Sequence, residues 1–152
     1  MRASVVTAAT ILFFASAALA SEELARKSVS MLAKWQCATW AEMMGDEEKN
    51  VRLQRAGLED GRKFVRAALS GEVTDEEANR NVPVIVLLTM QGYNEDFILG
   101  RLFEAIISDA YSDIVEKDER GLPLPPSEYN IADEHKKILA EEKFHSSNCD
   151  IL

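Results

Sequence analysis

The chain contains two cysteines, Cys37 and Cys149, which lie 112 positions apart. In an oxidising compartment an even, isolated pair of cysteines is most simply a disulfide. A fold that contains this bond must bring its C-terminal tail against its first helix. In the chain-entropy model a loop of this length contributes about 4–5 kcal/mol to stability.

The last four residues allow a different reading of the second cysteine. The tetrapeptide that begins at Cys149 matches the C-a-a-X prenylation signal, and its final leucine favours geranylgeranylation. Prenylation takes place in the cytosol, and no polybasic run precedes Cys149 to provide a second membrane signal. We therefore favour the disulfide.

The first twenty residues have the pattern of a secretory signal peptide. Arg2 supplies the basic n-region, residues 5–19 are mostly apolar, and residues 18–20 form a small-x-small cleavage site. A membrane helix needs about 20 apolar residues, which is more than this stretch offers. The sequence predicts a cleaved signal peptide over 1–20 and a single domain over 21–152, without a membrane span, in the periplasm or secreted.

Composition and charge exclude several classes of protein. The 152 residues are 47% hydrophobic and 28% charged, with 7 Gly and 4 Pro, which excludes collagen-like and wholly disordered chains. The formal charge of -9 opposes nonspecific binding to nucleic acid or to anionic lipid. We therefore expect no nucleic-acid partner.

Hydrophobic periodicity predicts an all-α fold of about five helices in one small domain closed by the disulfide. Thr74 and Glu77 form a capping box, and Asn94 caps a long helix. Residues 82–90 are apolar on all sides and fit strand or helix, and Pro83 at a first turn favours a buried helix. The longer predicted helices span 22–44, 47–69, 94–116 and 131–144.

The helical period also assigns faces. Gly57 and Gly61 share the inward arc of the second helix, and because interior glycines cost about 1 kcal/mol each, they suggest that another helix crosses closely. Ser30 and Lys34 are placed on the outward side of the first helix. The inward residues of the later helices are predicted to include Val51, Leu58, Phe64, Val65, Ala68, Leu69, Tyr111, Ile131, His135, Ile138 and Leu139.

Catalytic and metal-binding templates are missing from the sequence. No G-x-S-x-G, H-E-x-x-H, phosphate loop or G-x-G-x-x-G occurs. Asp133, His135, Glu142 and His145 could suggest a metal site, but the two histidines would lie about 15 Å apart on one helix. We predict no metal and no cofactor. An enzyme would need a catalytic group among Glu104, Asp109, His135 and Tyr111.

The most specific feature is a basic face on the second helix. Five basic residues fall within roughly 100 degrees of arc, which in an acidic protein suggests a docking surface for an acidic partner. The alternative is an ordinary solvated face with i,i+4 pairs such as Glu48 to Arg52 and Glu59 to Lys63. Trp40, well round the first helix from Trp35, is added as a surface anchor, although it could equally lie in the core. The predicted partner-binding residues are Arg52, Arg55, Arg62, Lys63, Arg66 and Trp40.

These observations rank three possible functions. The leading hypothesis is an exported binding protein for another exported protein, such as an inhibitor or an immunity-type factor, which would use the basic face of the second helix and the aromatic residues of the first. An acid-stress or envelope-stress chaperone and a small exported hydrolase are the alternatives. The sequence shows no oligomeric state.

Overall fold

A computed structural model describes residues 6–152, with side chains from residue 19 onward. It consists of α-helices and two short 3-10 helices, Pro126–Glu128 and Cys149–Ile151, and the described residues form no β-strand. The all-α prediction is confirmed, and residues 6–152 form six α-helices in place of about five. They are α1 (Val6–Met44), α2 (Glu47–Ser70), α3 (Asp75–Asn81), α4 (Val84–Thr89), α5 (Glu95–Val115) and α6 (Asp133–Ser146).

Side-chain caps set the starts of three helices. Asp46, Thr74 and Asn94 accept hydrogen bonds from the third residue beyond each of them, at the starts of α2, α3 and α5. Gly71, in the left-handed conformation with φ of 75°, ends α2. Within the ambiguous segment 82–90, α4 is a helix as predicted, and Pro83 stands at its cap. The prediction that this helix is buried is wrong, because Val84 and Leu88 are 70% and 71% exposed and Val86 is its one buried residue.

The expected N-terminal processing falls partly outside the description. Residues 1–5, including Arg2, lie outside the described residues, and α1 runs without a break through residues 20 and 21. The Ser21 side chain is buried and accepts a hydrogen bond from the Thr74 amide at 3.1 Å. Cleavage after residue 20 stays a prediction. Among the described residues no helix is long and apolar enough to cross a membrane.

Helices α1 and α2 form an antiparallel hairpin whose contact depends on two glycines. A Cβ at Gly57 would lie 2.5 Å from Cδ1 of Trp35, and one at Gly61 would lie 2.8 Å from the sulfur of Met31. The close crossing predicted from this glycine pair is confirmed.

The inward face of α2 differs from the predicted one. Phe64 and Val65 are buried, but Leu58 and Leu69 are 39% and 55% exposed, and Leu53 is buried in their place. The reason is that polar residues occupy some of the inward-facing positions of α2. Asn50 is buried there, and its side-chain amide donates to the Ala38 carbonyl at 2.9 Å.

Asp60 is the second buried polar residue of α2. Its carboxylate accepts hydrogen bonds from Ser30 at 2.7 Å and from Lys34 at 2.5 Å, and Lys27 lies at 3.4 Å. The prediction that Ser30 and Lys34 face solvent is therefore wrong, because both turn toward α2. Burial raises the pKa of Asp60, but the hydrogen bonds from Lys34 and Ser30 and the charges of Lys34 and Lys27 outweigh it, so the pKa lies below its ordinary value.

The disulfide between Cys37 and Cys149 is present, with the two Cα atoms 5.7 Å apart. Both cysteines are buried, and Cys149 begins the C-terminal 3-10 helix. The bond thus ties the tail to α1 as predicted. The prenylation alternative is wrong for this structure, because the Cys149 sulfur is already bonded.

The apolar core divides into two clusters that share α1, α2 and α5. The first lies toward the start of α1 and the end of α2, and the second surrounds the disulfide. The first contains Ala25, Met31, Trp35, Phe64, Val65, Val82, Val86, Ile98, Leu99, Leu102 and Ile106. The second contains Cys37, Ala38, Trp40, Ala41, Leu53, Ala110, Ile114, Val115, Ala140, Phe144 and Cys149.

The proline-rich segment between α5 and α6 folds back onto the end of α5. Asn130 donates from its backbone to the Val115 carbonyl at 2.9 Å and from its side chain to the Ile114 carbonyl at 3.0 Å. These bonds satisfy carbonyls that a helix end leaves without partners. The segment is therefore a cap on α5 as well as a surface connection.

Helix α6 buries fewer of the predicted residues. Ile131, His135 and Ile138 are exposed and Leu139 is half-buried, whereas Ala140 and Phe144 are buried. Tyr111 of α5 is also exposed, contrary to the prediction. The predicted inward faces were wrong here because the C-terminal half of α6 supplies its buried residues.

Candidate functional site

The basic residues of α2 lie beside the first turn of α5. Arg62 donates to Glu95 at 2.8 Å and lies 3.1 Å from the Asp96 carboxylate, and Arg66 donates to Glu95 at 2.6 Å. These hydrogen bonds, led by that from Arg66, hold the pKa of Glu95 below its ordinary value. The two arginines thus join α2 to α5 and are already paired.

The other three basic residues have different surroundings. Lys63 pairs with Glu59 at 2.7 Å, which is one of the i,i+4 pairs of the alternative reading. Arg52 donates to the backbone carbonyl of Leu152 and so holds the tail. Arg55 is exposed and has no ion pair or hydrogen bond with any residue that the structure describes. Among the residues that the structure describes, Arg55 is therefore the basic residue of this face without a partner.

A groove of about 370 Å³ opens between α2 and α5 beside Arg55. Its floor is apolar and consists of Trp35, Leu99 and Phe103. Arg55, Leu58 and Arg62 line it from α2, and Asp96 and Gly100 line it from α5. The groove therefore combines an apolar floor with a charged rim.

The floor of the groove is held rigidly. The Trp35 ring meets the Phe103 ring edge-on, with centroids 5.3 Å apart and planes at 85°, a favourable aromatic geometry. Its indole nitrogen donates to the Gln54 carbonyl at 3.2 Å. Gly57 lets the indole lie directly against the α2 backbone. The ring is fixed on three sides and offers little freedom to move.

Gly100 keeps the α5 side of the groove open. A Cβ built there would meet no atom within 4 Å. Asp96 and Phe103, at i−4 and i+3, line the same groove, so position 100 lies on the helix face that borders it. A larger residue at this position would occupy space that is now empty.

Trp40 lies away from the groove, in the second core cluster. It is 3% exposed, and its indole nitrogen donates to the Ala110 carbonyl at 3.1 Å. Lys143 covers the ring, with its nitrogen 5.8 Å from the ring centroid. The expectation of a surface anchor at Trp40 does not fit this burial, and we leave Trp40 out of the candidate site.

A larger cavity of about 590 Å³ lies between the end of α5, the proline-rich segment and α6. Its central charges neutralise one another, because Lys117 lies 2.5 Å from Asp113 and 3.5 Å from Asp109. The hydrogen bond that Lys117 donates to Asp113 raises the pKa of Lys117. These three groups are engaged with each other, whereas Glu119, Glu128 and Glu142 also line the cavity and form no ion pair with any residue that the structure describes.

The structure does not gather the four catalytic candidates into one place. His135 lines the larger cavity and Asp109 pairs with Lys117 beside it, whereas neither Glu104 nor Tyr111 is among the lining residues. His145 lies 2.8 Å from Asp150 and so takes part in holding the tail. Within the described part of the chain, no three His, Cys, Asp or Glu side chains are placed to hold a metal ion.

The sequence reading missed most residues of the groove. Gln54, Leu58, Leu99, Gly100 and Phe103 were not predicted as site residues, because the groove exists only through the spacing between two helices. The one local signal was Gly100, an interior helix glycine without a packing reason. No protein-family model, curated protein or solved structure matches the chain.

Proposed function

We propose that this chain is an exported binding protein that docks an acidic segment of another exported protein on the surface formed by α2 and the first half of α5. One observation carries the proposal. A solvent-exposed apolar groove lies beside Arg55, a cation without a partner among the described residues. Protein interfaces typically combine a desolvated apolar pocket with a polar or charged rim.

Charge supports an acidic partner. The chain carries a formal charge of -9, so its surface as a whole repels acidic proteins. Arg55 provides a local attraction at the groove and would fix the orientation in which such a partner approaches. A basic partner would find many better surfaces on this protein than this one.

The disulfide supports the proposal that the protein is exported to an oxidising compartment. Disulfides form and persist in oxidising environments and are rare in the cytosol. Together with the signal-like pattern of residues 1–20, the Cys37–Cys149 bond favours the periplasm or secretion.

Site-specific photocrosslinking in the source cells tests the proposal. A benzophenone amino acid replaces Leu58, at the groove, or Ile138, an exposed aliphatic residue on α6 that serves as the matched control. We expect a covalent adduct with one protein from position 58, no such adduct from position 138, and loss of the adduct when Arg55→Glu is added. Equal adducts from both positions, or an adduct that Arg55→Glu leaves unchanged, would contradict the proposal.

A second candidate, an acid-stress chaperone, is favoured by Asp60. This buried carboxylate forms ion pairs between α2 and α1 only while it is ionised, so strong acid should loosen the hairpin and expose apolar surface. Fluorescence of a hydrophobic dye during titration from neutral to strongly acidic pH tests this candidate. A rise accompanied by suppression of client aggregation supports it, and a flat signal counts against it.

A further inference from the structure

We infer that the groove between α2 and α5 receives one aromatic or long aliphatic side chain of the partner, and that a carboxylate beside this anchor pairs with Arg55. The inference rests on the proposed function and adds to it the chemistry of the docked segment. Its occupant is an acidic protein segment with one large apolar anchor.

The size and lining of the groove favour a side chain as the occupant. A volume of about 370 Å³ is near the lower end of ligand pockets, which range over about 300–1,000 Å³. Trp35 and Leu99 lie almost fully buried at the floor, so the apolar surface that an incoming side chain can contact comes mainly from half-buried Phe103 and exposed Leu58. Because the Trp35 ring is fixed, binding requires little reorganisation of the pocket.

The charges at the rim determine which residue of the partner can lie next to the apolar side chain that enters the groove. Arg62 is engaged by Glu95 and Asp96, which leaves the guanidinium of Arg55 as the open donor. Guanidinium groups form bidentate hydrogen bonds with carboxylates. An acidic residue next to the anchor therefore gains an ion pair, whereas a basic residue there would be repelled.

Gly100 gives the inference its sharpest test. Glycine inside a helix costs about 1 kcal/mol relative to alanine. The structure offers no packing reason for the glycine, because a Cβ there would meet no atom within 4 Å. A leucine at position 100 would lie at the groove without displacing any residue of the floor, so it should block the anchor while preserving the fold.

The experiment uses the full, disulfide-bonded chain as bait for a random-peptide display library. We expect the selected peptides to combine Asp or Glu with an adjacent Phe, Trp, Leu or Met. Fluorescence anisotropy with labelled peptides should show an affinity loss of about tenfold or more, or about 1.4 kcal/mol, for Gly100→Leu and for Arg55→Glu. Ser108→Leu, an exposed position on α5 outside the groove, is the matched control and should bind as the parent does.

Thermal unfolding verifies that the Gly100→Leu protein is folded, and its melting temperature should not fall below that of the parent. If Gly100→Leu binds normally while Arg55→Glu loses binding, the inference is overturned and the proposed function survives. If both variants bind normally and position 58 forms no adduct, both fail. Selection of basic peptides, capture of a fatty acid in place of peptides, or self-association through the groove would each overturn the inference.

Discussion

Replacing Gly57 with alanine is expected to destabilise the protein, although the same change normally stabilises a helix. An added Cβ would lie 2.5 Å from Cδ1 and 2.6 Å from Nε1 of Trp35. Carbon atoms in contact are about 3.5–4.0 Å apart, so the ring or the helix must shift by about 1 Å. The ring cannot yield easily, because it is 1% exposed and packs against Phe103.

The magnitude follows from three opposing effects. Overpacking a core costs about 1–3 kcal/mol, and losing the hydrogen bond from Trp35 to the Gln54 carbonyl adds about 1 kcal/mol. Removing the glycine from the helix increases the free energy of unfolding by about 1 kcal/mol. We therefore expect Gly57→Ala to lower the free energy of unfolding by about 2 kcal/mol, which corresponds to a fall in melting temperature of roughly 5–8 °C.

Urea unfolding followed by circular dichroism and tryptophan fluorescence measures this change. Gly100→Ala is the matched control, because it makes the same replacement on the facing helix where the new Cβ meets nothing. It should raise the stability by about 1 kcal/mol. If Gly57→Ala is as stable as the parent, or gains stability as Gly100→Ala does, the close contact between the indole and α2 is refuted.

Three further changes test other parts of the fold. Asp60→Asn should cost about 3 kcal/mol at neutral pH, because it leaves the facing lysines without their buried acid. The pKa of Asp60 is lower in the folded than in the unfolded state, so its stabilisation is complete above about pH 4–5 and is lost as the pH falls through the folded value. Urea midpoints for the parent and Asp60→Asn should therefore converge in acid, and a constant gap would argue against the assignment. Replacing Cys37 and Cys149 by serine should lower stability by about 4–5 kcal/mol in chemical denaturation, and a loss below about 1 kcal/mol would show that the loop closure matters little. Asn94→Ala should cost about 1 kcal/mol through loss of the α5 cap, and an unchanged urea midpoint would contradict that role.

The local features of the fold could be predicted because their causes lie within a few residues. Thr74 and Asn94 accept hydrogen bonds from amides three positions on, and Gly71 ends α2 through its own backbone conformation. The glycine pair of α2 and the disulfide could also be predicted, because each has few physical explanations.

The inward faces could be predicted only in part, because burial depends on partners that the periodicity does not show. Asp60 is buried since Ser30 and Lys34 supply its hydrogen bonds from another helix. Leu58 is exposed at the groove, although its apolar character argues for burial.

Partner binding by the basic face of α2 stays a prediction, and of its residues only Arg55 and Arg62 line the groove. The basic face of α2 borders the groove, yet two of its arginines are paired with Glu95 and Asp96, about thirty residues further along the chain. Pairing over that separation and the gap between two helices have no signature in a single sequence. That Arg55 has no partner within the described part of the chain, and that the groove is open at Gly100, could be seen only in the structure.

The division of the core into two clusters predicts two regions that open to solvent with different free energies. Trp35 and Leu99 under the groove belong to one cluster, and the Cys37–Cys149 bond belongs to the other. Backbone amides in such regions exchange their hydrogens with solvent at rates set by the local opening free energy. Reduction should therefore accelerate exchange first in α6 and the end of α5, while the amides beneath the groove stay protected. A molecule that has lost its disulfide would then keep the groove intact but would be open to proteases at the opposite end.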